Sequence, residues 1–401
     1  MSFRAAGYSW RLYCGSKAIE SGLLEAVARA GAKRAFVICS PSVNRRTDVV
    51  HRIAAALGDR YAGVYDGIEK DSTFTSVVAA KEAAQTANAD LLIAAGGGSV
   101  VVAVRAVAIF MAEAGDPFEI MTQYPEGKPA YSPRLMAAKP PIINIPTTPN
   151  SAVNRAGTGL KNPDLDQRME YFDPKIRPQA IFFDEDALMT APPELIRSTA
   201  TTVFAGLVGN MAQDGLNPLA LADRDHAFRL AHKAYPRLVD ELDEPSLRID
   251  FCLAAFLRNR AEDDGIGRFR SDAFSGDYAI STALHVRYPH VGQGESTSVV
   301  HSAKIRISEK IDAAAARRVA EALDVWHGNM ETRQAALAVA ERLDDLYTQM
   351  KMPTQLRQLD IPREDLVNIA KETVKNFNAN AGARSAEDRI SDSLRLLEAA
   401  Y

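Results

Sequence analysis

Leu91-Leu92-Ile93-Ala94-Ala95-Gly96-Gly97-Gly98-Ser99 runs from an apolar, strand-like stretch straight into a glycine-rich turn, and helix-compatible residues follow from Val100 to Ala112. A strand, three glycines, a serine and a helix make an arrangement suited to holding a phosphate. Glycines let the main chain approach an anion closely, and a helix N-terminus offers unpaired N–H groups and positive partial charge. The stretch makes a nucleotide cofactor the first expectation. Read with its neighbours, it also decides the fold.

Toward the N-terminus, Ala35-Phe36-Val37-Ile38-Cys39 reads as a buried strand that ends in the turn Ser40-Pro41-Ser42. Residues 49–57 and 75–87 have helical spacing, and 61–65 is a short strand. Toward the C-terminus, Pro141-Ile142-Ile143-Asn144-Ile145 is strand-like and stops at Pro146, and residues 179–184 repeat the pattern. Strands separated by helices imply a parallel sheet covered on both faces. Ligands of such sheets gather at the carboxyl ends of the strands, where Ser40, Gly96, Gly97, Gly98, Ser99, Thr147 and Thr148 would lie. Beyond Ala191-Pro192-Pro193-Glu194 helical periodicity dominates, over 195–208, 219–235, 247–260, 313–323, 332–349, 363–376 and 385–400. The expected organisation is an α/β dinucleotide-binding domain over 1–186 and an all-α domain over 187–401.

The chain has 401 residues, 47% hydrophobic and 24% charged, the profile of a globular protein with sizeable cores. A net charge of -4 gives no electrostatic reason to expect nucleic acid or an anionic membrane as partner. Cys14, Cys39 and Cys252 are odd in number and far apart, which argues against a disulfide framework and fits a reducing cytoplasm. No apolar run reaches the roughly 18 residues that span a bilayer, and no signal-peptide core is expected at the start.

The order of landmarks resembles the iron-containing (group III) alcohol dehydrogenase family, which shares its dehydroquinate synthase-like fold with glycerol dehydrogenase. The resemblance rests on Gly96 to Ser99, Ile145-Pro146-Thr147-Thr148, Pro192-Pro193-Glu194-Leu195, Asn217-Pro218-Leu219, Pro236-Arg237 and Met352-Pro353-Thr354. It implies a Rossmann-like N-terminal domain for NAD or NADP, a helical C-terminal domain, a catalytic cleft between them, and a homodimer or larger assembly. It also implies a small-molecule substrate. Gly96 to Ser99 would cradle the pyrophosphate, with Thr147 and Thr148 beside it. Ser40 stands where the family carries an acidic residue against the adenosine ribose, so a 2′-phosphate is permitted.

This chain departs from the family at several places. Val102 and Arg105 replace an aspartate and a lysine on the helix after the glycines, and Asn150-Ser151-Ala152-Val153-Asn154 replaces a Gly-Thr-Gly-Ser-Glu run. The family binds a divalent metal, iron or zinc, with an aspartate and a histidine four residues later, after the Pro-Pro landmark. Here those positions are Thr202 and Gly206, and no Asp or His occurs from Leu195 to Gln213. The two remaining family ligands are histidines; His285 and His290 are the nearest candidates, while alignment from Gly292-Gln293-Gly294 places Gln293 instead. The expectation is that the metal site is lost.

Metal loss leaves hydride chemistry open, because hydrogen-bond donors or cations can replace part of a Lewis acid's stabilisation. Maleylacetate reductases are a metal-free precedent in the family. His290, with His285 second, is the expected proton carrier. Arg268 and Arg270, with Lys161, are candidates to bind an anionic substrate. The leading expectation is an NAD(P)-dependent alcohol dehydrogenase or carbonyl reductase. The alternatives are a sugar-phosphate cyclase of the dehydroquinate synthase type and a non-catalytic relative of the fold.

Overall fold

The computed structural model describes residues 2–3, 5–125, 128–165, 167–264, 268–269, 272–376 and 385–401. It divides into two compact units: Tyr8–Pro192, and Pro193–Tyr401 together with Met1–Gly7. The α/β unit holds strands β1 (Arg11–Gly15), β2 (Ala35–Cys39), β3 (Tyr61–Tyr65), β4 (Leu91–Gly96), β5 (Ile142–Pro146), β6 (Gly157–Leu160), β7 (Met169–Phe172) and β8 (Ala180–Asp184). Its helices are α1 (Ala18–Arg29), α2 (Pro41–Arg46), α3 (Val49–Leu57), α4 (Phe74–Thr86), α5 (Gly98–Ala112), α6 (Pro117–Ile120) and α7 (Glu185–Met189).

Six strands form one parallel sheet in the order β1-β8-β5-β4-β2-β3. The strands β2, β4, β5 and β8 are buried at every residue, as expected for strands covered on both faces. From β2 the chain steps outward to β3, then returns to the other side of β2 for β4 and continues to β5. The reversal opens a crevice at the carboxyl ends of β2 and β4, which is where open α/β sheets take ligands. Ser40 and the glycine turn follow those two strands. A separate antiparallel hairpin, β6–β7, packs against α5.

One buried carboxylate ties this unit together. Asp184, at the end of β8, accepts from Ile19 N at 3.1 Å and Ala187 N at 3.0 Å, so it anchors α1 and caps α7. Arg52 of α3 grips both its oxygens at 3.0 Å and reaches Glu20 of α1 as well.

The second unit contains α8 (Pro193–Met211), α9 (Pro218–Ala234), α10 (Pro245–Asp264), α11 (Tyr278–Arg287), α12 (Gln293–Ile307), α13 (Ala313–Ala322), α14 (Thr332–Gln349), α15 (Leu366–Glu372) and α16 (Ala386–Ala399). Among the described residues its regular structure is helical apart from a two-residue antiparallel ladder, β9 (Gln213–Asp214) with β10 (Arg268–Phe269), which the all-α expectation lacks. The stretch expected to be helical over 363–376 is a 3-10 turn at Arg363–Asp365 followed by the short α15. Among the described residues, no helix is long and apolar enough to cross a membrane.

Candidate active site

In the α/β unit the turn after β4 has the geometry its glycines suggested. Gly96 has φ +155°, and a Cβ there would meet Val100 Cγ2 at 2.8 Å. Gly97 precedes α5, and its carbonyl accepts from Val100 N and Val101 N at 3.1 and 3.2 Å. The N–H groups of the first turn of a helix have no partner within it, so those of Gly98 and Ser99 are available to an anion by geometry. Thr147 N donates to Gly96 O at 3.1 Å, which locks the end of β5 to the turn. A Cβ on Gly97 would come within 3.3 Å of Thr148 Oγ1, and that hydroxyl is buried without a hydrogen-bond partner. Asn150 Oδ1 is likewise buried and unbonded, while its Nδ2 donates to Thr148 O at 3.2 Å. Unmet polar atoms beside an open helix N-terminus fit a phosphate-bearing cofactor.

A clamp over this turn was not foreseen. Asp71 and Ser72 both have left-handed backbone, φ 62° and 56°. Asp71 N donates to Ser99 Oγ at 3.1 Å, and Ser72 Oγ donates to Ser99 O at 2.7 Å. Two consecutive non-glycine residues in this region cost roughly 1–3 kcal/mol each. Such strain is typical of a segment whose position matters. Lys161 joins it through its main chain, donating to Ser72 O at 3.2 Å and accepting from Phe74 N at 2.8 Å. The polar run Glu69-Lys70-Asp71-Ser72-Thr73 was the available sequence signal.

Ser40 immediately precedes α2, and its Oγ lies 3.0 Å from Ser42 Oγ. Arg45 and Arg46 follow on the same helix, both exposed. Val102 presents its carbonyl to Thr158 Oγ1 at 2.6 Å. Arg105 is 1% exposed and donates to Gly157 O at 2.9 Å, with its Nε and Nη2 buried and unbonded. Burial lowers its pKa to about 9, so it remains a cation at neutral pH.

In the helical unit, Ser198, Thr202, Gly206 and Asn210 stand four residues apart and share one face of α8. At one end Ser198 Oγ donates to Glu295 Oε2 at 2.6 Å and accepts from Gly294 N at 3.1 Å. The contact is tight: a Cβ on Gly294 would stand 2.1 Å from Ser198 O. It sets Gln293, the first residue of α12, beside this end of α8. Thr202 Oγ1 donates to Ser198 O at 3.2 Å. At the other end the Arg258 guanidinium covers Gly206.

The two histidines named from the sequence are held by carbonyls. His285 Nδ1 is 2.7 Å from Ser281 O in its own helix, and His290 Nε2 is 3.0 Å from Leu359 O. Arg268 is placed only through the β9–β10 backbone ladder, and Arg270 lies outside the described residues. His301 is fully buried between Tyr347 OH and Phe274 O, both at 2.7 Å.

Burial lowers the His301 pKa from 6.5 to about 4. As pH falls the unfolded chain therefore takes this proton first. The stability held by neutral His301 is complete above about pH 6.5 and drains as pH falls to about 4, by on the order of 3 kcal/mol. Urea unfolding measured across that window should show the slope in the wild type and a flatter one in His301→Gln. Equal slopes would remove His301 as the cause.

Among the described residues, no group of three or more His, Cys, Asp and Glu is placed to hold a metal ion. Thr202, Gly206 and the cation over Gly206 form a poor donor set for a divalent ion, which calls for carboxylate or imidazole.

Comparison with known proteins decides the family. The profile described as iron-containing alcohol dehydrogenase matches residues 10–185, and that of the Fe-containing alcohol dehydrogenase family C-terminal region matches residues 208–401. The chain belongs to the iron-containing alcohol dehydrogenase family. Maleylacetate reductase 2 of Cupriavidus pinatubonensis is 26% identical over 231 residues, 58% of this chain and 55% of that protein. Lactaldehyde reductase of Escherichia coli is 22% identical over 391 residues, 94% of this chain and 95% of the other. The crystal structure of the archaeal halo-thermophilic Red Sea brine pool alcohol dehydrogenase ADH/D1 has a TM-score of 0.84 at 19% identity, covering 100% of this chain and 99% of that one. At that identity the likeness shows the fold, and this member of the iron-containing alcohol dehydrogenase family has it in both units.

Proposed function

We propose that the protein is an NAD(P)-dependent oxidoreductase that interconverts an alcohol and an aldehyde or ketone by hydride transfer, without a divalent ion. The observation that carries the reading is the turn after β4. Gly97 leaves room beside an unbonded, buried Thr148 hydroxyl at the open N-terminus of α5. The main-chain N–H groups of Gly98 and Ser99 would hold the cofactor phosphates, with Thr147 and Thr148 at the adjoining strand end and Ser40 toward the adenosine ribose. The bound nicotinamide would supply the hydride. In this reading His290, with His285 second, carries the proton: Leu359 O lies 3.0 Å from His290 Nε2 and Ser281 O lies 2.7 Å from His285 Nδ1, contacts that orient each ring through one nitrogen.

The test is saturable quenching or enhancement of NADPH fluorescence, followed by NADPH oxidation with propanal and with glyoxylate. Binding and turnover support the reading. Absence of NADPH and NADH binding would sink it.

NADPH is expected to bind more tightly than NADH. Ser40 does not repel a 2′-phosphate, and Arg45 and Arg46 lie on the same helix. Ser40→Asp should weaken NADPH binding by tenfold or more and change NADH binding little. An unchanged ratio of the two affinities would show that Ser40 does not face the ribose.

A further inference from the structure

Arg105 stands half-way along α5 as a buried cation, and among the described residues no carboxylate pairs with it. Its Nη1 donates to Gly157 O, where α5 meets the start of β6. The opposite edge of the guanidinium, Nε and Nη2, is buried and meets no hydrogen-bond partner among those residues. That edge is the fork with which an arginine grips an oxyanion, because its two N–H groups run parallel and match two oxygens. Elsewhere in the chain Arg52 holds Glu20 through Nε and Nη2, Arg237 holds Glu241, and Arg287 holds Asp365. The groups that act electrostatically on Arg105 are the Tyr8 phenol and the guanidinium groups of Arg155 and Arg177. Arg155 belongs to the loop before β6, where its Nε donates to Ser151 O at 2.9 Å. Arg177 precedes β8 and lies over the Tyr8 ring, 5.3 Å from its centroid. All four residues belong to the α/β unit. A buried cation with an idle fork and cations for neighbours is costly unless an anion joins it. At neutral pH the guanidinium keeps its proton, so a negative partner is what relieves the cost.

We infer that the Nε and Nη2 edge of Arg105 is a buried binding site for a small planar oxyanion, a carboxylate or bicarbonate. The fork gives two parallel donors to two oxygens of one ligand, and Arg155 and Arg177 add attraction at longer range. Planarity and small size follow from the fork and from the burial of Arg105, which is 1% exposed. The site is distinct from the glycine turn. Arg105 lies seven residues along α5 from Gly98, roughly 10 Å down the helix axis, and its donors are side-chain groups where the turn offers main-chain N–H. The inference therefore stands apart from the hydride-transfer reading and holds whichever cofactor the turn binds.

The experiment is equilibrium dialysis of the full chain against carbon-14 formate and, separately, carbon-14 bicarbonate, at an ionic strength held fixed with sodium chloride. It compares the wild type with Arg105→Lys, Arg105→Met and Gly97→Val. The expected result is saturable uptake of one anion per chain by the wild type. Arg105→Lys keeps the charge but lacks the fork, so its affinity should fall by about tenfold or more. Arg105→Met should take up none. Gly97→Val, which fills the space before α5 and leaves Arg105 untouched, should bind as the wild type does. Thermal melts on the same samples check the fold, and the anion should raise the midpoint of the wild type and Gly97→Val but not that of Arg105→Met. If Arg105→Met fails to fold, Arg105→Lys carries the comparison. Tighter binding of one of the two anions would identify the ligand class. No saturable uptake of either anion by the wild type would overturn the inference. So would binding lost in Gly97→Val and intact in Arg105→Lys, since the anion would then sit at the glycine turn. An equal rise in midpoint in all four proteins, without uptake, would reduce the effect to that of salt and overturn it as well.

Discussion

Gly97→Val is expected to abolish NADPH binding while leaving the protein folded. The backbone at Gly97, φ -77° and ψ -168°, is open to any residue, so no strain follows from the substitution itself. What changes is space. The Cβ alone would lie 3.3 Å from Thr148 Oγ1, and two methyl groups beyond it would occupy the region in front of the first α5 amides. A phosphate that needs those N–H groups at hydrogen-bond distance could not reach them. Gly98→Ala is the matched control. Its Cβ would meet Asn150 Cβ at 3.8 Å, an ordinary contact, so binding should stay within a few-fold of wild type. Fluorescence titration reads both, with a thermal melt to confirm the fold. Wild-type affinity in Gly97→Val would show that the turn does not hold the cofactor.

Asp184→Ala should destabilise the α/β unit by about 3–5 kcal/mol. Four interactions end on this fully buried carboxylate: two main-chain amides at the starts of α1 and α7, and two N–H groups of Arg52. Removing it leaves Arg52, whose side chain is 11% exposed, with a buried charge and Glu20 as its main remaining partner. Asp184→Asn keeps an acceptor for one amide but loses the charge, so its cost should fall between the two. Urea unfolding midpoints test this. A loss below about 1 kcal/mol for the alanine variant would mean that Arg52 and the helix ends find other partners.

The sheet was legible in the sequence where burial is continuous. Ala35 to Cys39 and Leu91 to Ala95 are unbroken apolar runs because both sheet faces are covered. The edge strand β1 was missed for the converse reason. Arg11-Leu12-Tyr13-Cys14-Gly15 is mixed in polarity, only partly buried, and pairs on one side with β8. Helix α12 left no apolar stripe either. Its buried face includes Ser296, Thr297, Ser298 and Ser302, and the first three spend their hydroxyls on carbonyls such as Gln293 O and Pro353 O. Serine and threonine at that density read as loop, and tertiary packing overrides them.

The candidate site was legible only as far as local spacing reaches. The glycine turn announces itself within nine residues, and the replacement of two ligand positions by Thr202 and Gly206 follows from counting. The partners of those residues do not. Arg258 over Gly206 and the Asp71–Ser72 clamp on Ser99 are contacts between distant segments, set by helix packing and by a strained turn. Arg258, in the helix-like run Phe256-Leu257-Arg258-Asn259-Arg260, carries no local mark of a role.

The measurement that tests the central claim most directly is NADPH oxidation with propanal by protein stripped of metals by exhaustive chelation, with residual metal content determined on the same sample. The account predicts an unchanged rate at metal far below one ion per chain. A rate that disappears on chelation and returns on adding Fe²⁺ or Zn²⁺ would contradict it.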